Sequence, residues 1–266
     1  MKFHVLTLFP EIPRAFFENS IMAKAVDRGL IQYNLVNIRD FAYDTHRTCD
    51  DKPYGGVLGK RVPGMLMLPE PLSFALDSVG VKPKTERDET TTGKRRVVYC
   101  TPSGKPFTQD LARQYAEQDE LVFICGRYEG IDQRIIDLYV DDEVSIGDYV
   151  LSSGEVAVTV VIDAVYRLID GVISSESLED ESHSDGLLEY PQYTRPEIFR
   201  DLSVPEVLLS GHHEKIRKWR LRKRIEKTLL FRPDLIEKAR DSAVLSEEAE
   251  LLLKELENGN GSDPQN

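Results

Sequence analysis

Three short apolar runs each deliver the chain into a glycine-bearing stretch. Leu121 to Cys125 is followed by Gly126 and Gly130, Val144 to Ile146 by Gly147 and Gly154, and Val97 to Cys100 by the loop TPSGKP. Runs of this length read as buried parallel strands. Glycine at the end of a strand lets bare backbone approach a ligand, and the carboxyl ends of parallel strands form the usual ligand crevice. Three such loops would wall one pocket. They lack what phosphate needs, because no GxGxxG follows any of the runs and no Lys-Ser/Thr pair closes a glycine loop. Gly59-Lys60 resembles the end of a phosphate loop, yet Tyr54 stands where its first glycine belongs and Arg61 where Ser/Thr belongs. The chemistry that remains is recognition by backbone amides and carbonyls, which suits adenine edges and a small zwitterion.

Strand, loop and helix alternate around these stretches, so the first 170 residues predict an α/β unit with a largely parallel sheet. FHVLTLF, residues 3 to 9, predicts a strand. Pro10-Glu11 opens one helix through Phe16, Phe17 and Ile21 to about Arg28, with Gly29 as its cap, and Ile31 to Ile38 predicts the next strand. Residues 39 to 56 are polar and aromatic with little periodicity, the kind of loop that more often carries function than packing. Residues 70 to 80 predict a helix, Thr108 caps another over Asp110 to Asp119, and Val156 to Ile169 predicts an apolar-rich one. The sequence 174 to 187 is polar and acidic and reads as a flexible linker. Residues 188 to 257 follow as a small all-helical domain, in which Leu221, Ile225 and Leu229 form the buried stripe of a long helix; residues 258 to 266 read as a disordered tail.

Composition narrows the class. With 266 residues, 41% hydrophobic and 30% charged, the chain reads as an ordinary soluble protein with material for a sizeable core. No apolar run of about 18 residues is present to span a membrane. Cys49, Cys100 and Cys125 lack metal spacing and are odd in number, so reduced thiols in a cytoplasmic protein are expected. A net charge of −12 argues against nucleic acid until its distribution is considered. EKIRKWRLRKR, residues 214 to 224, holds seven Lys/Arg and one acid, while acid concentrates in 137 to 148, 176 to 189 and the last helix.

CGRYEGIDQR followed by SIGDYVLSSGE closely resembles the bacterial tRNA (guanine-37-N1)-methyltransferases of the TrmD type, in the SPOUT superfamily. HRTCDDKPYGG, PGMLM and GLLEYPQYTRP extend the resemblance to about residue 250. It implies a SPOUT-type, mostly parallel sheet ending in a C-terminal trefoil knot over residues 1 to 173, with a helical tRNA-binding domain beyond the linker. It implies S-adenosyl-L-methionine as methyl donor, tRNA bearing G at 36 and 37 as substrate, a homodimer with shared active sites, and room for Mg2+ as an assisting ion, although no metal cluster is legible in the sequence. Two departures stand out. Residues 57 to 62, VLGKRV, are an insertion before PGM, and Ser153 stands where the family often has a second glycine.

The donor contacts implied are Tyr99, Thr101, Pro102, Gly126, Tyr128, Glu129, Ser145, Ile146, Gly147, Tyr149, Leu151 and Gly154. Tyr128 and Tyr149 could equally be packed aromatics, and Glu129 a turn-capping carboxylate. Guanine N1 carries a proton and no free lone pair, so methylation needs a base there and a cation near O6. A gap-free count back from Gly186 puts the family's basic carboxylate at Glu181, and a shift of one residue recruits Asp180; both remain open. Arg167 matches the arginine at the end of the catalytic helix, and by spacing alone it is equally a surface arginine favoured by the helix dipole. His46, Arg47, Asp50 and Tyr54 are candidate readers of the RNA. Lys215, Arg217, Lys218, Arg220 and Arg222 are candidate phosphate contacts, set against a solvated helix face. Two rivals stay in view: a SPOUT methyltransferase for another RNA position, and a non-catalytic RNA-binding protein.

Overall fold

The structure is a computed structural model and describes residues 1–55, 63–88, 94–173, 182 and 186–258. The chain divides into two compact units, Met1–Ile173 and Ser174–Asn266.

The first unit is built on five strands. They are β1 (Lys2–Thr7), β2 (Gln32–Asn37), β5 (Arg95–Pro106), β6 (Glu120–Ile124) and β7 (Asp142–Ser145). Every pairing among them is parallel, in the order β2-β1-β6-β5-β7. Two short strands, β3 (Asp50–Asp51) and β4 (Leu66–Met67), pair antiparallel beside this sheet. Alternate residues of a strand face opposite sides, so Phe3, Val5, Leu121 and Phe123 enter one core, and Leu6, Val122 and Ile124 the other. The first core is closed by helices α1 (Glu11–Phe17), α2 (Ser20–Asp27), α4 (Gln109–Ala116) and α6 (Gly154–Tyr166). The second is closed by α3 (Pro69–Ser78) and α5 (Gln133–Tyr139). Cover on both faces explains why the central strands are continuously apolar rather than alternating. On α6, Val158, Val161, Ile162 and Val165 form the buried stripe, while Val156 and Val160 on another face are 50% and 46% exposed.

Two expectations change here. The single helix expected from Pro10 to Arg28 is two, because Asn19 adopts an extended backbone and its Nδ2 donates to Ala15 O at 2.7 Å. Short polar side chains that bond the backbone compete with helix continuation in this way. The TPSGKP loop is an excursion within one long strand. Cys100 and Lys105 both pair with Val144, and a Cβ on Gly104 would lie 2.5 Å from Val144 N.

In the second unit, α7 (Glu206–Leu209), α8 (His213–Phe231), α9 (Pro233–Asp241) and α10 (Glu247–Glu257) follow a two-stranded hairpin of β8 (Ile198–Phe199) and β9 (Leu202–Ser203). The hairpin corrects the all-helical expectation. Its turn places Arg200 and Asp201 at φ +51° and +67°, without the glycine that would have marked it in the sequence. Leu187, Ile225, Ile236, Ala249 and Leu253 form the core, with Leu221 and Leu229 packed against it. The Thr228 hydroxyl accepts from Leu188 N at 2.9 Å, tying the incoming chain to α8. Among the described residues no helix is long and apolar enough to cross a membrane.

Candidate active site

The loops that follow β6 and β7 and the excursion within β5 meet at the carboxyl ends of these strands around a cavity of about 220 Å³. All twelve residues named above as donor contacts line it. Cys100, Arg127, Gly130, Val144, Val150, Ser152, Ser153 and Ala157 line it too and were missed, although all but Ala157 lie within the same runs and loops. A wider cleft of about 850 Å³ opens among Met1, Lys2, Gln32, Arg113 and Glu120, at the amino ends of β1 and β6. It holds none of the sequence candidates, and parallel sheets bind ligands at the opposite edge.

Close backbone approach shapes the cavity. Gly154 N donates to Gly126 O at 3.0 Å, and a Cβ on Gly154 would lie 2.6 Å from Gly126 N. At Gly147 (φ +152°) a Cβ would lie 2.4 Å from the Tyr149 ring, whose hydroxyl donates to Ile146 O at 3.2 Å. Ser145 Oγ donates to Gly147 O at 3.0 Å. Tyr128 and Tyr149 are each 53% exposed, so neither is a packed aromatic in this chain. Tyr99 is buried, and burial pushes its phenol up to about 12, leaving a neutral hydroxyl. Burial likewise pushes the Cys100 thiol up to about 12, too high for a nucleophilic thiolate at neutral pH. The cavity thus offers apolar and aromatic surface, backbone groups and two charged side chains, Arg127 and Glu129. That set suits an adenosine carrying a small charged tail.

Behind this wall lies a buried polar chain. Glu155 is fully buried; its Oε1 accepts from the Thr7 hydroxyl at 2.5 Å, and its Oε2 stands 3.1 Å from Arg127 Nε. The Arg127 guanidinium lies 4.4 Å from the Phe9 ring centroid. Glu129 is exposed, its backbone N donates to Met65 O at 3.0 Å, and its side chain fills the space over Gly64. The segment that ends at β4 is thereby docked on the GRYEG loop.

The remaining candidates lie elsewhere. Arg167 is half-buried at the carboxyl end of α6, whose first residue lines the cavity; the helix is 13 residues long, which puts its two ends roughly 20 Å apart. A single chain therefore does not bring Arg167 to the cavity. Asp180 and Glu181 lie outside the described residues, as do the insertion, most of the linker and residues 259–266. His46, Arg47 and Tyr54 are exposed, Asp50 is half-buried, and Asp44 organises their loop by accepting from Thr48 N and Thr48 Oγ1 at 2.7 Å each. Lys215, Arg217, Lys218, Arg220 and Arg222 share α8. Arg217 bonds Glu214 and Glu248, Lys218 pairs with Glu214, Arg222 pairs with Glu226, and Arg220 lies over the Tyr190 ring. Part of the basic run is thus paired with acids of its own unit, two of which, Glu226 and Glu248, lie outside the run and were not counted with it. Among the described residues no group of three His, Cys, Asp or Glu could hold a metal ion.

A family model described as tRNA (Guanine-1)-methyltransferase TrmD matches residues 1–238. The tRNA (guanine-N(1)-)-methyltransferase of Treponema denticola is 66% identical over 258 residues, covering 97% of this chain and 100% of that protein. That of Treponema pallidum is 60% identical over 257 residues, covering 97% and 96%. The Borreliella burgdorferi protein of the same name is 54% identical over 237 residues, covering 88% and 92%.

Proposed function

Because the chain belongs to the TrmD family of tRNA (guanine-1)-methyltransferases, we propose that its cavity at the ends of β5, β6 and β7 holds S-adenosyl-L-methionine and that it methylates N1 of guanosine-37 in tRNA. The observation that carries the site assignment is the convergence of three glycine-punctuated loops on one cavity lined by all twelve donor candidates. At Gly126, Gly147 and Gly154 the missing Cβ lets the Tyr99 ring, the Tyr149 ring and the Gly126 backbone close in to shape the cavity wall, and Glu129 stands ready for the ammonium of the charged tail. The close backbone approach of Gly154 to Gly126 supports the trefoil knot that a SPOUT fold would carry here.

The donor, when bound, supplies the methyl group as a sulfonium. A linker carboxylate, Asp180 or Glu181, takes the N1 proton of guanine, and Arg167 stabilises the negative charge that develops on O6. The N1–methyl bond forms as the sulfur–methyl bond breaks, leaving a neutral thioether and 1-methylguanosine. No step is assigned to Mg2+, for want of a ligand cluster among the described residues.

Arg167 is roughly a helix length from the cavity of its own chain, which supports a homodimer in which a second copy completes each site. Val150, Val156 and Val160, 83%, 50% and 46% exposed near the cavity, supply apolar surface for such an interface. The exposed loop with His46, Arg47 and Tyr54 reads the splayed anticodon-loop bases, and α8 contributes phosphate contacts. An enzyme of tRNA modification belongs in the cytoplasm.

The deciding experiment is methyl transfer to a tRNA transcript with G at 36 and 37, with the modified nucleoside identified. 1-Methylguanosine at 37, absent from a transcript with A37, is the expected result. Methylation at another position would instead favour a SPOUT relative with a different target, and absence of donor binding would favour an RNA-binding protein without catalysis.

A further inference from the structure

One buried ion pair beside the cavity has no part in the mechanism above. Glu155 is fully buried and does not line the cavity, yet it neighbours Gly154, which does. Its partner Arg127 lines the cavity and is 19% exposed. Thr7, also fully buried, fixes the carboxylate: its hydroxyl accepts from Phe9 N at 2.9 Å and donates to Glu155 Oε1. A single hydroxyl proton is thereby committed to Glu155.

Packing does not explain this arrangement, because a buried ion pair is weak in net stability and apolar residues of similar volume commonly do as well. Electrostatics gives it a use. Arg127 and the positive amino end of α6 both bear on the cavity. S-Adenosylmethionine carries sulfonium, ammonium and carboxylate, a net charge of plus one, whereas the thioether product is neutral overall. A cavity walled by an unopposed arginine would repel the donor and favour the product, which would choke turnover.

We propose that Glu155 sets the charge of the donor site: by neutralising Arg127 from behind, it lets the cavity accept the sulfonium cation over the neutral thioether. Glu155 is thus a positioning residue acting through Arg127, and the proposal rests on the donor assignment made above.

Calorimetric titration of Glu155→Gln with S-adenosylmethionine and, separately, S-adenosylhomocysteine tests it. Glutamine keeps the shape and can still accept from Thr7. Affinity for the sulfonium should fall about tenfold more than affinity for the thioether, the size of a unit charge acting over roughly 10 Å at an effective dielectric constant of about 20. The double variant Arg127→Met/Glu155→Gln removes both charges. It should return the ratio of the two affinities to the wild-type value, whatever common loss the missing arginine causes, and it remains informative if the single variant unfolds. Equal losses for both ligands in Glu155→Gln, or a shifted ratio in the double variant, would overturn the proposal. Wild-type protein that binds neither ligand would instead overturn the donor assignment.

Discussion

Gly126 and Gly154 touch through their backbones, with Gly154 N donating to Gly126 O at 3.0 Å and no space for a side chain between them. One residue further along each loop, Arg127 and Glu155 meet as ions at 3.1 Å. Two segments that leave different strands are thereby held in register, first by contact and then by charge.

Gly154→Ala should break this register. Its Cβ would meet backbone, which cannot swing aside as a flexible side chain would. Overpacking of this kind typically costs about 1–3 kcal/mol. Thermal unfolding should show that loss, and calorimetry should show loss of S-adenosylmethionine binding. A variant that binds the donor as wild type does would remove the contact from the account of the site.

Arg167→Ala should lower kcat by about 100- to 1000-fold, the range for removing one preorganised donor to a developing oxyanion. Donor affinity should stay within a factor of about two, since Arg167 is not part of the cavity wall in its own chain. Coexpression with a donor-site variant such as Gly147→Ala should restore part of the activity, because mixed dimers hold one intact site. No restoration would argue against sites shared between copies.

On α8, Lys215 and Arg217 should behave differently. Lys215 is exposed and has no ion pair among the described residues, whereas Arg217 is held by Glu214 and Glu248. Lys215→Ala should weaken tRNA binding and reduce the slope of log affinity against log salt by about one. Arg217→Ala should mainly loosen the α8–α10 contact. Equal effects on the salt slope would mean that the acids release Arg217 when RNA binds.

His4 makes stability depend on pH. Burial, aided by Lys2 and Arg95, lowers its pKa to about 4, against an unfolded value of 6.5, while Glu120 opposes the shift. The unfolded chain therefore takes the proton first. The stability due to neutral His4 is complete above pH 6.5 and is lost progressively as pH falls toward 4. Urea unfolding across this window should show a steeper decline for wild type than for His4→Asn; parallel declines would assign the effect to other groups.

The strands were legible because the signal for them is local. Leu121 to Cys125 and Val97 to Cys100 are runs that only burial on both faces explains, and the structure places α-helices on both faces. Thr108 caps its helix as its position suggests, its Oγ1 accepting from Leu111 N at 3.3 Å. The break at Asn19 and the hairpin at Arg200-Asp201 were not legible, since each depends on backbone states that those residue types adopt only in context.

By itself, then, the sequence determined the parallel α/β class, the three glycine loops and the family to which their motifs point. The twelve donor candidates converge on one cavity, but tertiary structure alone decided that they do, and that Arg167 stays a helix length away. It also paired Arg127 with Glu155, and Glu155 with Thr7 across 148 residues of chain. The division is physical. Glycine, strand and cap preferences act over a few residues and are written where they act. A buried charge finds its partner only when the sheet closes, and no local pattern names a partner so distant.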